Sequence, residues 1–205
     1  MKASRLILTL ALGALVAACA GKFESDVARF HKLERPAGET IRIEPKDQAN
    51  LGSLEFEQYA SIVRGYLVDL GYRPTADNPD IVVKLDYSIS DGEERIRSRP
   101  GYYSGFHSGF GFRRHSFFHS GFHYPHGFYG NQVYSYTVYT RRLEMDMVNA
   151  ASGASLFEGR AVSQGRDPRL PEVMPFLVQA MFTNFPGESG VTHLVEIKLA
   201  DGGTY

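Results

Sequence analysis

The sequence predicts an α+β fold: a two-layer sandwich in which an antiparallel sheet carries two helices on one face, with a long Gly-, His- and aromatic-rich loop between two strands. Three observations predict it. Two segments repeat apolar residues at helical spacing. Several others alternate apolar and polar residues, the period of a strand with one face in the core and one in water. The segments follow one another as β-β-α-β-loop-β-β-α-β, an order of hairpins and two helices that suits a single layered domain. The 205 residues, 43% of them hydrophobic, suffice for one core.

The first element is an export signal. Residues 1–18, "MKASRLILTLALGALVAA", place Lys2 and Arg5 before an apolar run that small residues close. The run is too short to be a good membrane-spanning helix. Cys19, the only cysteine, follows at once, so no internal disulfide is expected. The string "LVAAC" resembles the bacterial lipobox. That resemblance implies that Cys19 is the first residue of the mature chain and carries a diacylglycerol and a further acyl chain such as palmitate. Two or three acyl chains anchor firmly, at about 0.8 kcal/mol per buried methylene. Ala20 in place of an aspartate resembles the signal for outer-membrane release. The expected location is therefore the periplasmic face of the outer membrane. Residues 19–24 read as a lipidated tether, 25–199 as a single α+β domain and 200–205 as a tail.

Within the domain, "SDVARFHKLERPAGETIRIEP" reads as two strands around a turn at Pro36-Ala37-Gly38. The first helix is "SLEFEQYASIVRGYLVDLG". Ser53 is its N-cap, and Gly71 ends it. Tyr59, Ile62, Val63, Tyr66, Leu67 and Leu70 form its inward stripe. "DIVVKLDYSIS" alternates as a half-buried strand. "QVYSYTVYTRRLEMDMVNA" is a long strand whose apolar parity changes between Val138 and Leu143, which predicts a bulge near Arg141-Arg142. "ASGAS" turns into "LFEGRAVSQG". The second helix is "PEVMPFLVQAMFTNFPG", with Pro171 and Pro175 confined to its beginning and Phe176, Leu177, Ala180, Met181 and Phe185 inward. "VTHLVEIKL" is the last strand, on which His193 reads as a packed or edge histidine rather than a ligand.

This layout resembles the bacterial lipoproteins that carry domain of unknown function 4136. The likeness rests on "LVAAC", on "SLEFEQYASIVRGYLVDLGY" and "NPDIVVKLDYSIS", on the hairpin "RRLEMDMVNAASGASLFEGRA" and on "FLVQAMFTNFP". Members also tend to carry a Gly- and aromatic-rich loop at the place of residues 101–130. Phe157 stands where many members have Trp. The resemblance implies fold and compartment, and it brings no activity or site residue.

The loop, taken as residues 92–131, holds the distinctive chemistry. Residues 101–130 contain five of the seven histidines and eleven aromatics. Residues 95–142 hold seven arginines and no acid, so a basic, aromatic segment is set in an otherwise acidic chain. Four readings compete. His115, His119, His123 and His126 have spacings that could ligate zinc, copper or nickel, yet Gly121 and Pro125 interrupt any helix and no carboxylate stands near to orient a ligand. Arginines with aromatics also suit nucleic acid, which a periplasmic lipoprotein seldom meets. Anionic envelope material fits better: Arg113 and Arg114 would pair with phosphate or carboxylate, and Phe106, Phe110, Phe117, Phe118 and Phe122 would supply the apolar part. The plain alternative is an irregular insertion with no partner.

No nucleophile with partners is legible. The serines of "SGASLFEG" lie in a turn, and Asp91, Glu93 and Glu94 read as a solvated acidic tip. The expectation is a non-enzymatic envelope lipoprotein without a cofactor. It would be bound to the membrane through Cys19 and would present the loop to an envelope protein or an anionic glycolipid. A metal-binding lipoprotein using the four histidines is the alternative.

Overall fold

The structure is a computed structural model that describes residues 21–33, 36–100 and 131–199. These residues divide into two compact units. The body runs up to Glu93 and resumes at Thr137, and the second unit spans Glu94–Tyr136. The expected signal peptide and C-terminal tail lie outside the described residues, as does the tether up to residue 20.

The strands are β1 (Lys22–His31), β2 (Thr40–Pro45), β3 (Arg73–Pro74), β4 (Ile81–Ile89), β5 (Glu93–Pro100), β6 (Asn131–Asn149), β7 (Ser155–Gly165) and β8 (Val191–Lys198). The helices are α1 (Leu54–Asp69) and α2 (Leu170–Phe182), with a single 3-10 turn at Gln48–Asn50. The sheet order is β3-β2-β4-β6-β7-β1-β8, and β5 pairs with β6 off this path. The fold is α+β, as the sequence predicts, but the sheet is mixed. β2 runs parallel to both β3 and β4, while the pairs β4–β6, β6–β7, β7–β1 and β1–β8 are antiparallel.

The parallel pair arises because β2, α1 and β4 form a crossover: a helix between two strands returns the chain to the same end of the sheet. β1 and β2 therefore do not form a hairpin around Pro36-Ala37-Gly38. β1 lies between β7 and β8. The stretch from His31 to Thr40 must cross four strand spacings of ~4.8 Å, well within the reach of nine residues at ~3.3 Å each.

Side-chain parity sets the layers. Phe23, Val27, Ile41, Ile81, Val83, Leu85, Leu143, Met145, Met147, Phe157, Ala161 and Ile197 point to one face and are buried. Both helices cover that face and share its core. In α1, Ser53 Oγ accepts from the Phe56 N–H at 3.4 Å, the expected N-cap. Phe56, Tyr59, Ala60, Val63 and Leu67 are buried, while Leu70 is exposed. Gly71 ends the helix with φ +106°, a conformation that only glycine adopts readily. In α2 the buried stripe also includes Val173, Met174 and Val178, and the Phe176 ring packs tilted against Phe23 with centroids 5.5 Å apart. Gly159 on β7 lets this helix approach the sheet, since a Cβ there would lie 2.7 Å from Met181 Sδ and 2.5 Å from Phe157.

Two further expectations change. The β4–β6 and β6–β7 registers run unbroken past Arg141-Arg142, and the only shift lies between Met147 and Val148. The apolar parity changes without a bulge: Val138 is buried on the opposite face of the unbroken strand, while Arg141 occupies an inward position and is fully buried, in step with Leu143, Met145 and Met147. Residues 93–100, expected to belong to the loop, form β5. Glu93 and Glu94 are thus strand residues, not a turn tip.

Candidate functional site

Every residue singled out in the sequence for binding lies outside the described residues: Cys19, Phe106, Phe110, Arg113, Arg114, Phe117, Phe118, Phe122 and the histidines 115, 119, 123 and 126. The strands that carry residues 101–130 are described. In the second unit, β5 pairs with the start of β6 and bears the same residue types. The Arg97 guanidinium carbon lies 5.7 Å from the centre of the Tyr136 ring, within cation–π range. The Tyr134 and Tyr136 rings sit 6.4 Å apart. Ile96 and Val133 are about two-thirds exposed (70% and 66%), so this pair of strands offers apolar surface beside cationic groups. Tyr134 and Tyr136 are half-buried, the disposition of amphipathic rings.

In the body, the sheet face opposite the helices carries paired charges. Lys46 Nζ stands 2.8 Å from Asp146 Oδ2 and 3.2 Å from Glu144 Oε2. Arg142 and Arg160 approach the other oxygen of Glu144 at 3.5 and 3.8 Å. The bond to Asp146 holds the Lys46 ammonium above the ordinary lysine range. A depression of about 350 Å³ lies here, lined by Ala28, Phe30, Lys46, Glu158 and Arg160 among others. Each acid of the Lys46–Glu144–Asp146 group has a cation beside it, which makes the face an ion-pair network. Among the described residues no three of His, Cys, Asp and Glu come close enough to hold a metal ion. His193 is exposed on β8.

The core face holds two arginines that the sequence reading did not single out. Arg29 of β1 is 3% exposed, and its Nη2 donates to the carbonyls of Ala180, Met181 and Thr183 at 3.1, 3.0 and 2.8 Å. A cation thus sits on the negative end of α2, where the last carbonyls lack helical partners. Arg141 of β6 donates from Nη1 to the Asp167 carbonyl at 3.1 Å. Burial depresses the pKa of both guanidinium groups. A signal for both existed: each arginine stands two residues from an inward apolar neighbour, Val27 or Leu143, and therefore on the buried parity of its strand. Nearby, Tyr59 donates to Glu55 at 2.7 Å, and burial followed by that bond pushes its phenol well above the ordinary range.

One end of the sheet gathers the exits of the chain. Lys22, where β1 begins, pairs with Lys198, and Asp26 pairs with Val162. Through the β7–β6–β4 ladders this level corresponds to Tyr139, opposite Gly165, and to Ile89, opposite Arg141. The body therefore releases the chain towards residue 94 and takes it back at residue 137 from the end at which β1 starts.

No curated protein matches the sequence. Among solved structures, the chain is similar to a PDZ domain protein from Parabacteroides distasonis, with a TM-score of 0.48 and 12% identity over 92% of this chain and 42% of that one. It thus spans less than half the length of that protein. Two crystal forms of a PelC dodecamer from Paraburkholderia phytofirmans align with TM-scores of 0.37, at 12% and 10% identity, over 75% and 80% of this chain and 91% and 99% of theirs. The family model described as Domain of unknown function (DUF4136) matches residues 27–187, from the middle of β1 to the turn after α2. By that match, which takes in both helices and six of the eight strands in full, the chain belongs to the DUF4136 family.

Proposed function

We propose that the protein is a non-enzymatic lipoprotein of the bacterial envelope, acylated at Cys19 and held at the periplasmic face of the outer membrane. Residues 101–130 are offered to an envelope partner or an anionic surface. Arg113 and Arg114 pair with phosphate or carboxylate groups, and Phe106, Phe110, Phe117, Phe118 and Phe122 enter the apolar layer beneath them.

The observation that carries this reading is the "LVAAC" string that ends in Cys19, set directly behind a charged start and an apolar run. Two structural features support it. β1 begins at Lys22, three residues after Cys19, so an acyl anchor would hold this end of the sheet within about 10 Å of the leaflet. The exposed Ile96 and Val133 and the Arg97–Tyr136 stack extend the same composition into the flanking strands.

Two variants test the reading in the native host. Cys19→Ser is expected to move the protein from the membrane fraction to the soluble one; retention in membranes would overturn the anchor. Deleting residues 101–130 is expected to leave a folded, membrane-bound body that no longer co-purifies with envelope components after crosslinking. An unchanged set of crosslinked neighbours would overturn the role of the segment.

A further inference from the structure

Arg141 is fully buried, yet it spends only one nitrogen on a hydrogen bond, Nη1 to the Asp167 carbonyl. Its Nε and Nη2 are buried and have no acceptor among the described residues. These two nitrogens share one edge of the planar guanidinium. That edge is the fork that holds two oxygens of a single carboxylate or phosphate side by side. Directly across the ladder, Ser163 of β7 pairs with Arg141 and is 2% exposed. Its Oγ also lacks a partner among the described residues. Side chains opposed in this way on one sheet face are neighbours, with Cβ atoms ~5 Å apart. Three polar groups able to donate hydrogen bonds are therefore collected on the core face with nothing to receive them.

The nearest acid does not complete the set. The Asp167 carboxylate is bound to Arg169, whose Nη2 and Nε donate at 2.7 and 3.0 Å and whose backbone N–H donates at 2.9 Å. Arg141 receives only its carbonyl. Asp167 also leads into α2, whose N-cap residue Arg169 makes no side-chain capping bond. A buried cation with two unused donors and no paired anion is an arrangement that proteins rarely keep without a ligand or ordered water.

We propose that Arg141 and Ser163 form a binding site for a small oxyanion, a carboxylate or a phosphate, received bidentate by Arg141 Nε and Nη2 and by the Ser163 hydroxyl. The test is titration calorimetry of the purified full chain with acetate and with inorganic phosphate, against chloride at equal ionic strength. Saturable binding of at least one of the two is expected, and which one it is identifies the class. Arg141→Lys keeps a cation but loses the paired donors, and Ser163→Ala removes the hydroxyl; each is expected to weaken binding about tenfold or more. Should the lysine variant not fold, the alanine variant still decides. Absence of saturable binding of both anions, the result if water alone occupies these donors, would overturn the site. So would an affinity that neither substitution changes.

Discussion

Replacing Arg29 by methionine isolates the contribution of one guanidinium to the whole body. The side chain reaches from β1 to the end of α2, and Nη2 touches three carbonyl oxygens between 2.8 and 3.1 Å. One nitrogen carries two hydrogens, so these contacts amount to about two full bonds. Hydrogen bonds from a charged donor contribute about 1.5–3 kcal/mol each, about 3–6 kcal/mol for the pair. Keeping a cation out of water offsets part of this, and methionine, of similar length and apolar, removes that cost while leaving the carbonyls bare. The net loss expected for Arg29→Met is therefore about 2–4 kcal/mol. With a urea m-value of about 2 kcal/mol/M, the unfolding midpoint should fall by about 1–2 M. Arg29→Lys, which keeps the charge on a shorter reach, should lie between the two. Equilibrium urea unfolding followed by circular dichroism makes the measurement. A methionine variant within about 0.5 M of the parent would refute the assignment of Arg29 as the cap of α2.

Two other outcomes follow from the same packing and charge arguments. Gly159→Ala should destabilise the body by about 1–3 kcal/mol, because its Cβ would meet Phe157 and Met181; an unchanged urea midpoint would show that α2 can yield at no cost. Stability should fall on acidification, because Thr40 donors hold the Asp80 carboxyl, and Arg169 the Asp167 carboxyl, below the ordinary aspartate range. Each carboxyl has a lower pKa folded than unfolded, so its contribution is complete above about pH 4 and is lost as pH falls through the folded value. Urea midpoints that are level between about pH 5 and about pH 3 would contradict this, and Asp80→Asn should flatten part of the slope.

The helices were legible because their signals are local. Ser53, the 59-62-63-66-67 spacing and Gly71 define α1 without reference to the rest of the chain. Strand identity was legible where the inward positions are all apolar, as in Ile81, Val83 and Leu85. It failed where tertiary contacts override the pattern. Arg141 is inward and its Nη1 finds the Asp167 carbonyl, while Val138 is buried on the other face, and a hydrophobicity reading takes that change of parity for a bulge. β5, "EERIRSRP", has one aliphatic residue and exists through its pairing with β6, which composition cannot reveal. Pairing order was not legible either: nothing in "SDVARFHKLERPAGETIRIEP" tells whether two successive strands join each other or separate partners. The arginine-rich character of residues 95–142 was visible from the start, whereas the division of that stretch between exposed Arg97 and buried Arg141 required the sheet register.

The position of β1 bears on how the protein is made. This strand is the first of the described strands to be made, yet Asp26 pairs with Val162 and Lys22 with Lys198, so both of its neighbours lie far along the chain from it. Loop closure on that scale must precede any reward from contact, and folds dominated by such remote pairings assemble slowly. Synthesis that stops short of residue 191 leaves one flank of β1 bare, an adhesive edge on an otherwise nearly complete layer. The sheet therefore closes only once β8 has been made.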